Sequence, residues 1–146
     1  MDRDLRRAAV VALGELGRSH DFADRADAGH GLAAFAEMHE ARGPLLELVL
    51  DPDDTFVTRV TSEALLRRMD SAGLTVVASA LAVADANQGD WIRTAIADVF
   101  GVCADDRDKT MRWCGEMSRG TDDRVAVGAR ELHGILAGIG PVLRPS

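Results

Sequence analysis

The sequence feature that most constrains this chain is a series of apolar stripes with the spacing of an α-helix. The clearest stripe follows Asp90, a candidate N-cap, and its side chains recur three and four positions apart. Its members are Trp91, Ile92, Ala95, Ile96, Val99, Phe100 and Cys103. Because such a stripe must be covered by another element, we expect a chain of helices packed side by side.

Similar stripes predict helices along the rest of the chain. The first helix spans about residues 4 to 16, and its expected core-facing residues are Leu5, Ala8, Ala9, Ala12, Leu13 and Leu16. A second stripe runs from Ala28 to Ala36 and reaches toward Glu40. Gly43 and Pro44 then restart the chain, since proline is tolerated in a first helical turn. The acidic runs 51–54 and 121–123 can cap the helices that follow them.

Residues 74 to 84 are apolar nearly all round and carry enough valine to resemble a β-strand. No other segment could pair with such a strand, and a lone strand leaves its backbone polar groups without partners. We therefore predict a buried helix there. With a helix boundary between about Ala104 and Arg107 and a last helix ended by Gly138, the sequence predicts eight helices, no sheet and an all-α fold.

Length and net charge limit the number of domains and the kinds of partner that this chain can have. A chain of 146 residues forms one ordinary domain, so residues 1–146 are expected to be a single α-helical domain. Its net charge of −7 repels phosphate backbones unless the positive charges gather on one face. No stretch approaches the ~18 apolar residues of a membrane span, and the N-terminus lacks the core of a secretory signal. We expect a cytoplasmic location without nucleic-acid or membrane partners.

The two cysteines, Cys103 and Cys114, lack the spacing of a zinc or redox pair and are expected to be free thiols. If a turn separated them, they could face each other between antiparallel helices. A redox pair would then require both sulfurs within bonding geometry.

Weak internal repeats recur at offsets of 33 to 35 residues. Ile92 aligns with Val125 at an offset of 33, and Ile92 aligns with Val57 at an offset of 35. Units of turn, helix, short link and helix at this period are typical of stacked helical hairpins.

Residues 4–17 (DLRRAAVVALGELG) and 46–59 (LELVLDPDDTFVTR) resemble HEAT repeats, in particular the short bacterial kind related to phycobilisome lyases. The resemblance implies an α-α superhelix, a HEAT/armadillo-like solenoid of stacked hairpins. The arginines Arg6 and Arg93 match the family pattern, as do five turn aspartates: Asp53, Asp54, Asp90, Asp122 and Asp123. The proline of many eukaryotic HEAT units is missing, and residues 18–42 hold a long second helix where a short one is due. An irregular superhelix and a generic helical bundle both remain open.

No motif for chemistry stands out. The four histidines are scattered without a metal-binding pattern, and the acidic turn at 51 lacks the glycine and glutamate of a calcium loop. Nucleophile, phosphate and dinucleotide motifs are missing as well. We therefore expect no catalytic residues, no metal, no cofactor and no enzymatic activity.

The favoured function is a non-catalytic protein–protein interaction module whose specific task is unknown. Tryptophan and arginine dominate interface hot spots, so Arg112, Trp113 and Glu116 are predicted to touch a partner protein from the inner face of the stack. The charge of −7 would favour a partner with a basic patch.

Two alternatives remain open. One is a HEAT-like enzyme, of the DNA alkylbase glycosylase or chromophore lyase type, which the family resemblance implies. The other is self-association through the apolar helix at 74–84, with the chain a monomer or weak homodimer.

Overall fold

Carboxylate caps set the starts of most helices. The computed structural model describes residues 2–143, and within that range it contains eight α-helices and no β-strand. They are α1 (Arg3–Leu16), α2 (Phe22–Ala33), α3 (His39–Val49), α4 (Thr55–Arg67), α5 (Ser71–Val83), α6 (Ala86–Phe100), α7 (Ala104–Met117) and α8 (Asp123–Ala137). Six of these helices have an N-cap aspartate whose side chain accepts a backbone N–H: Asp2, Asp21, Asp54, Asp70, Asp85 and Asp122. The predicted all-α fold with eight helices is confirmed.

The first six helices form two rows of neighbours. Helices α2, α4 and α6 pack in sequence along one row, and α1, α3 and α5 along the other. Each helix also contacts its hairpin partner in the other row. This arrangement is compatible with an α-α helical repeat. The last hairpin departs from it, since α8 packs mainly on α5 and α7 packs mainly on α8.

A glycine makes the contact between α5 and α8 possible. Gly128 lies so close to α5 that a Cβ there would fall 1.7 Å from the carbonyl oxygen of Ala78. Backbone therefore meets backbone at this crossing, and no other residue type fits without a shift of one helix. The surrounding core includes the fully buried side chains Leu74, Val77 and Leu132.

The buried helix predicted at 74–84 is confirmed as α5. Its residues Leu74, Val76, Val77, Ala78, Ala80 and Leu81 are buried. Because α3, α4 and α8 cover it, this helix does not offer the free apolar surface that self-association through it requires. Within residues 2–143, no helix combines the length and the apolar character needed to cross a membrane.

Two predicted boundaries around α6 are wrong. Helix α6 begins at Ala86 rather than after Asp90, because Asp85 and Gln88 form a reciprocal capping box. It ends at Phe100, and α7 begins at Ala104 rather than near Arg107. The link between them is fixed by the C-terminal segment, since the amide of Ala104 donates to the carbonyl of Leu143 at 2.9 Å.

The predicted break at Gly43–Pro44 is also wrong. Helix α2 ends at Ala33 in a turn whose amides bond three residues back, as Ala36 does to Ala33. Helix α3 begins at His39 and continues through Pro44. The proline removes one hydrogen bond to the carbonyl of Glu40, which lies at the exposed surface where water can replace it. The segment 18–42 therefore contains a helix of ordinary length, not a long one.

Helix α1 buries a side that lies about 100° round the helix from the expected one. Its only buried residue is Val10, whereas Leu5, Ala8, Ala12 and Leu16 of the predicted core stripe are exposed. Two neighbours, α2 and α3, cover the face that contains Val10 and part of Leu13. The spacing of the stripe identified the helix, but it did not identify the side on which the neighbours pack.

Both cysteines are free thiols, Cys103 half-buried and Cys114 buried. They do not face each other across a turn, because Cys103 is the N-cap of α7 and Cys114 lies within the same helix. Eleven residues of helical rise separate them by about 16 Å, too far for a disulfide. Burial raises the pKa of the Cys114 thiol to about 11, which keeps it protonated at neutral pH.

A buried ion pair ties three segments together. The Arg25 guanidinium on α2 donates to both carboxylate oxygens of Asp51, with its Nε at 2.9 Å from Oδ1. It also donates to the carbonyls of Ser19 and His20, each at 3.0 Å. The Asp51 carboxylate in turn accepts the amide of Asp54 at 2.8 Å. The hydrogen bond with Asp51 raises the pKa of Arg25, so the pair stays ionised.

A second network joins the end of α4 to the turn after α2. Arg68 contacts Asp70 at 2.8 Å and Glu37 at 2.9 Å, and it donates to the carbonyl of Ala33 at 2.8 Å. Burial alone would raise the pKa of Asp70, but the hydrogen bonds from Arg68 and from the Gly73 amide, with the charge of Arg68, lower it below its usual value.

We predict that Gly128→Ala destabilises the fold by about 3 kcal/mol, because the new Cβ overlaps the Ala78 carbonyl. Gly134→Ala is the matched control on the same helix, since nothing lies within 4 Å of the added Cβ. It should be neutral or gain about 0.5–1 kcal/mol from helix propensity. Urea unfolding of both variants measures the difference, and equal stabilities would contradict the close contact.

We predict that Asp70→Asn loses stability at neutral pH and that the loss disappears in acid. Asparagine keeps the helix cap but lacks the charge that pairs with Arg68. A lowered folded-state pKa stabilises the native chain above the ordinary value of 3.8, and this contribution is lost as the pH falls through the folded-state pKa. Since Asp70 is partly exposed, the difference should be no more than about 1 kcal/mol at pH 7. Denaturant unfolding across the acid range checks it, and a pH-independent difference would exclude this cause.

Candidate functional site

The outer surface of α7 carries most of its charge. Its buried residues are Ala104, Thr110 and Cys114, and Met111, Trp113 and Met117 pack partly against the core. The exposed side includes Arg112 and Glu116, one helical turn apart. Because α7 packs mainly on α8, this side borders the outer surface of α8.

A groove runs between α7 and α8. It has a volume of about 540 Å³, is open to solvent, and is lined by Asp108, Met111, Arg112, Gly115, Glu116, Arg119 and His133. A smaller depression of about 210 Å³ adjoins it at Gly115 and His133 and extends it to Arg130. Glycine at 115 leaves room in the floor, since a side chain there would project toward Arg119. We call these two depressions together the α7–α8 groove.

The α7–α8 groove holds an excess of unpaired positive charge. Within residues 2–143, no carboxylate lies within 4.0 Å of the guanidinium of Arg112, Arg119 or Arg130. Arg130 donates to the carbonyl of Ser118, at 3.1 Å. Asp108 is neutralised by Arg107 at 2.8 Å, which leaves Glu116 as the one lining carboxylate without an ion pair in the described range. The groove is thus locally cationic on a chain of net charge −7.

The three residues predicted from sequence separate into two groups. Arg112 and Glu116 are exposed and line the groove. Trp113 is half-buried, packs against the core and does not line the groove. The ammonium of Lys109 lies 4.9 Å from the centre of the Trp113 ring, a cation–π contact within the same helix. The predicted inner-face location does not fit α7, whose main neighbour is α8 at the end of the rows.

The prediction missed Arg119, Arg130 and His133. Arg119 follows Arg112 by seven residues, so its place on the same side could have been found from helical spacing. Arg130 and His133 belong to α8, and only the packing of α8 against α7 brings them to the groove. No local sequence signal reports that contact.

The described part of the chain contains no group of three or more His, Cys, Asp or Glu residues placed to hold a metal ion. The chain matches no protein-family model, and neither a curated protein nor a solved structure is significantly similar to it. The groove is therefore interpreted from its own chemistry.

We predict that Trp113→Ala and Arg112→Ala differ sharply in their effect on stability. Removing the packed indole should cost at least about 2 kcal/mol, because it leaves a void against the core. Removing the exposed, unpaired Arg112 should change the unfolding free energy by less than about 0.5 kcal/mol. Thermal and urea unfolding check this, and a destabilising Arg112→Ala would show that the arginine has a structural role instead.

Proposed function

We propose that this chain is a HEAT-like helical-repeat protein without catalytic activity that binds a partner protein in the α7–α8 groove. The observation that carries the proposal is the set of three arginines, Arg112, Arg119 and Arg130, that have no carboxylate partner among residues 2–143. The segment of the partner that enters the groove is acidic.

Arginine chemistry supports an acidic segment. The planar guanidinium forms paired hydrogen bonds with a carboxylate, which adds geometric specificity to the attraction. In an open groove each arginine is hydrated, and a carboxylate from a partner can replace that water without breaking an existing ion pair. Arginine is also enriched among the residues that dominate the binding energy of interfaces.

Local charge outweighs net charge at short range. The overall charge of −7 favours a basic partner at long distance. At physiological ionic strength, however, exposed charges more than about 8 Å apart are largely screened. Contacts within the groove are therefore set by its own arginines. Met111 in the lining offers an apolar side chain, which fits a segment that carries apolar and acidic residues.

The repeat architecture and a cytoplasmic location belong to the same proposal. Two rows of helices joined as hairpins, with the aspartate turns at Asp54 and Asp122, support a HEAT-like origin. Two free thiols that are too far apart to pair agree with a reducing compartment.

We predict that peptides selected from a random display library on this protein are rich in Asp and Glu and bind the groove. The variant R112E/R119E/R130E should weaken the binding of a synthesised peptide at least tenfold, since each attraction becomes a repulsion. The matched control is R42E/R67E/R124E, which reverses three exposed arginines outside the groove and should change affinity less than about threefold. Isothermal titration calorimetry measures both.

Three outcomes would contradict the proposal. Selected peptides that are basic, or that bind both triple variants equally, would place the partner elsewhere. Comparable binding of a single-stranded oligonucleotide, lost in R112E/R119E/R130E, would assign the arginines to phosphate rather than to carboxylate.

A further inference from the structure

A glycine forms a hollow in the floor of the α7–α8 groove, and the packing of the fold does not require it. Gly115 lies within α7, and the nearest atom to a Cβ added there is a guanidinium nitrogen of Arg119, at 3.9 Å. An alanine would therefore fit at ordinary contact distance, whereas Gly128 admits no side chain. Since glycine destabilises the interior of a helix, Gly115 weakens α7 without improving its packing. What it provides is space in the groove.

Two unpaired arginines lie on either side of this hollow. Arg112 precedes Gly115 by three residues and Arg119 follows it by four, so all three lie on one side of α7. Along the helix the two arginines are about 10.5 Å apart, and around it they differ by only about 20°. Among residues 2–143 neither guanidinium has a carboxylate within 4.0 Å. Gly115 lies on the α8 side of the line that joins them, because it also lines the depression shared with Arg130 and His133.

The spacing of Arg112 and Arg119 matches a helix and not an extended segment. In a helix, residues seven positions apart share a side and are about 10.5 Å apart, the same spacing as the two arginines. In an extended segment, residues on one side are about 6.6 Å or about 13 Å apart. A groove between two helices also accepts a third helix, whose side chains fit between those of the other two. Two acidic residues seven positions apart on a partner helix can thus each pair with one arginine.

The hollow at Gly115 accepts an apolar side chain from the same partner helix. If that helix runs parallel to α7, the residue four positions after its first acidic residue is level with Glu116 and turned toward α8, so it lies over Gly115. If it runs antiparallel, the residue three positions after the first acidic one is level with Glu116 and turned toward α8. Met111 also lines the groove and offers apolar contact to this side chain. Either direction gives one pattern: acidic residues seven positions apart with an apolar residue near the middle.

We propose that the α7–α8 groove binds an amphipathic helix of the partner protein. This helix pairs two acidic residues, seven positions apart, with Arg112 and Arg119, and it places an apolar side chain over Gly115. The inference rests on the acidic partner proposed above and adds its conformation and its pattern of residues. Gly115 then determines which side chain of the partner fits, because any side chain at this position would fill the hollow.

Two synthetic peptides of equal composition test the pattern. Each has about 18 residues, is rich in alanine so that it can form a helix, and carries two glutamates and two leucines. The first contains Glu-Ala-Ala-Leu-Leu-Ala-Ala-Glu, which serves both directions of binding. In the second, the glutamates are five positions apart and point to different sides of the helix. Titration calorimetry should give binding at least about tenfold weaker for the second peptide, and circular dichroism should show that the first becomes more helical when it binds.

Filling the hollow tests the role of Gly115. Gly115→Leu should weaken the binding of the first peptide at least about tenfold, because the new side chain occupies the place of the peptide's leucine. It should also raise the urea midpoint of the protein, since leucine favours a helix more than glycine does. Gly134→Leu on α8 is the matched control, because nothing lies within 4 Å of an added Cβ and Gly134 does not line the groove. It should raise the midpoint as well and change the affinity by less than about threefold.

The outcomes separate the helical pattern from the acidic partner on which it rests. The helical pattern is overturned if the two peptides bind equally, if neither binds at about 1 mM, or if Gly115→Leu leaves the affinity unchanged. Peptides rich in Asp and Glu that lose affinity in R112E/R119E/R130E would still support an acidic partner, bound in another conformation. If that triple variant changes the binding of none of them, both proposals fail together.

Discussion

The fold depends on places where a glycine lets two helices approach each other closely. Gly128 meets the backbone carbonyl of Ala78, and on the other row Gly29 leaves room for the side chain of Thr61, whose hydroxyl oxygen would lie 2.0 Å from a Cβ at residue 29. Such contacts tolerate very little change, because the interior of a protein is as densely packed as an organic crystal. The close contact at Gly128 lets α8 pack on α5, and α7, which packs on α8, therefore lies at the end of the rows. The α7–α8 groove thus depends on Gly128, although this residue does not line it.

Buried and partly buried ion pairs hold the turns between helices, which the glycine contacts between helices do not reach. Arg25 and Asp51 are each less than a tenth exposed, and together they satisfy backbone groups of two turns. An isolated charge in such a place is costly, whereas a pair with all its hydrogen bonds filled is tolerated and selects one arrangement of the turns. Arg68 has the same effect at the end of α4, at a more exposed site.

The sequence predicted the number and type of helices because most of them carry an apolar stripe with the period of 3.6 residues. It also predicted α5, where the lack of any pairing partner excluded a strand. Boundaries were less accurate, as at Asp85 and Gln88, where a reciprocal cap begins α6 five residues before the apolar stripe. The outward face of α1 and the place of His133 in the groove could not be predicted, since both depend on which helices become neighbours. For the site, the sequence selected Arg112 and Glu116, which line the groove, but it expected them on the inner face of the stack. It also grouped them with the packed Trp113 and missed the arginines that complete the charge.

Because α1 buries a single residue, we expect its local stability to be lower than that of the central helices. Helix α5 has seven buried residues and can open only when most of the molecule does, whereas α1 loses little burial when it separates. Amide hydrogens of α1 should therefore exchange through a partial opening that leaves the remaining helices folded. Helix α1 can therefore separate from its neighbours and pack again while the core of the other helices stays folded. The end of the row that α1 forms is the part of the fold that can change conformation most easily.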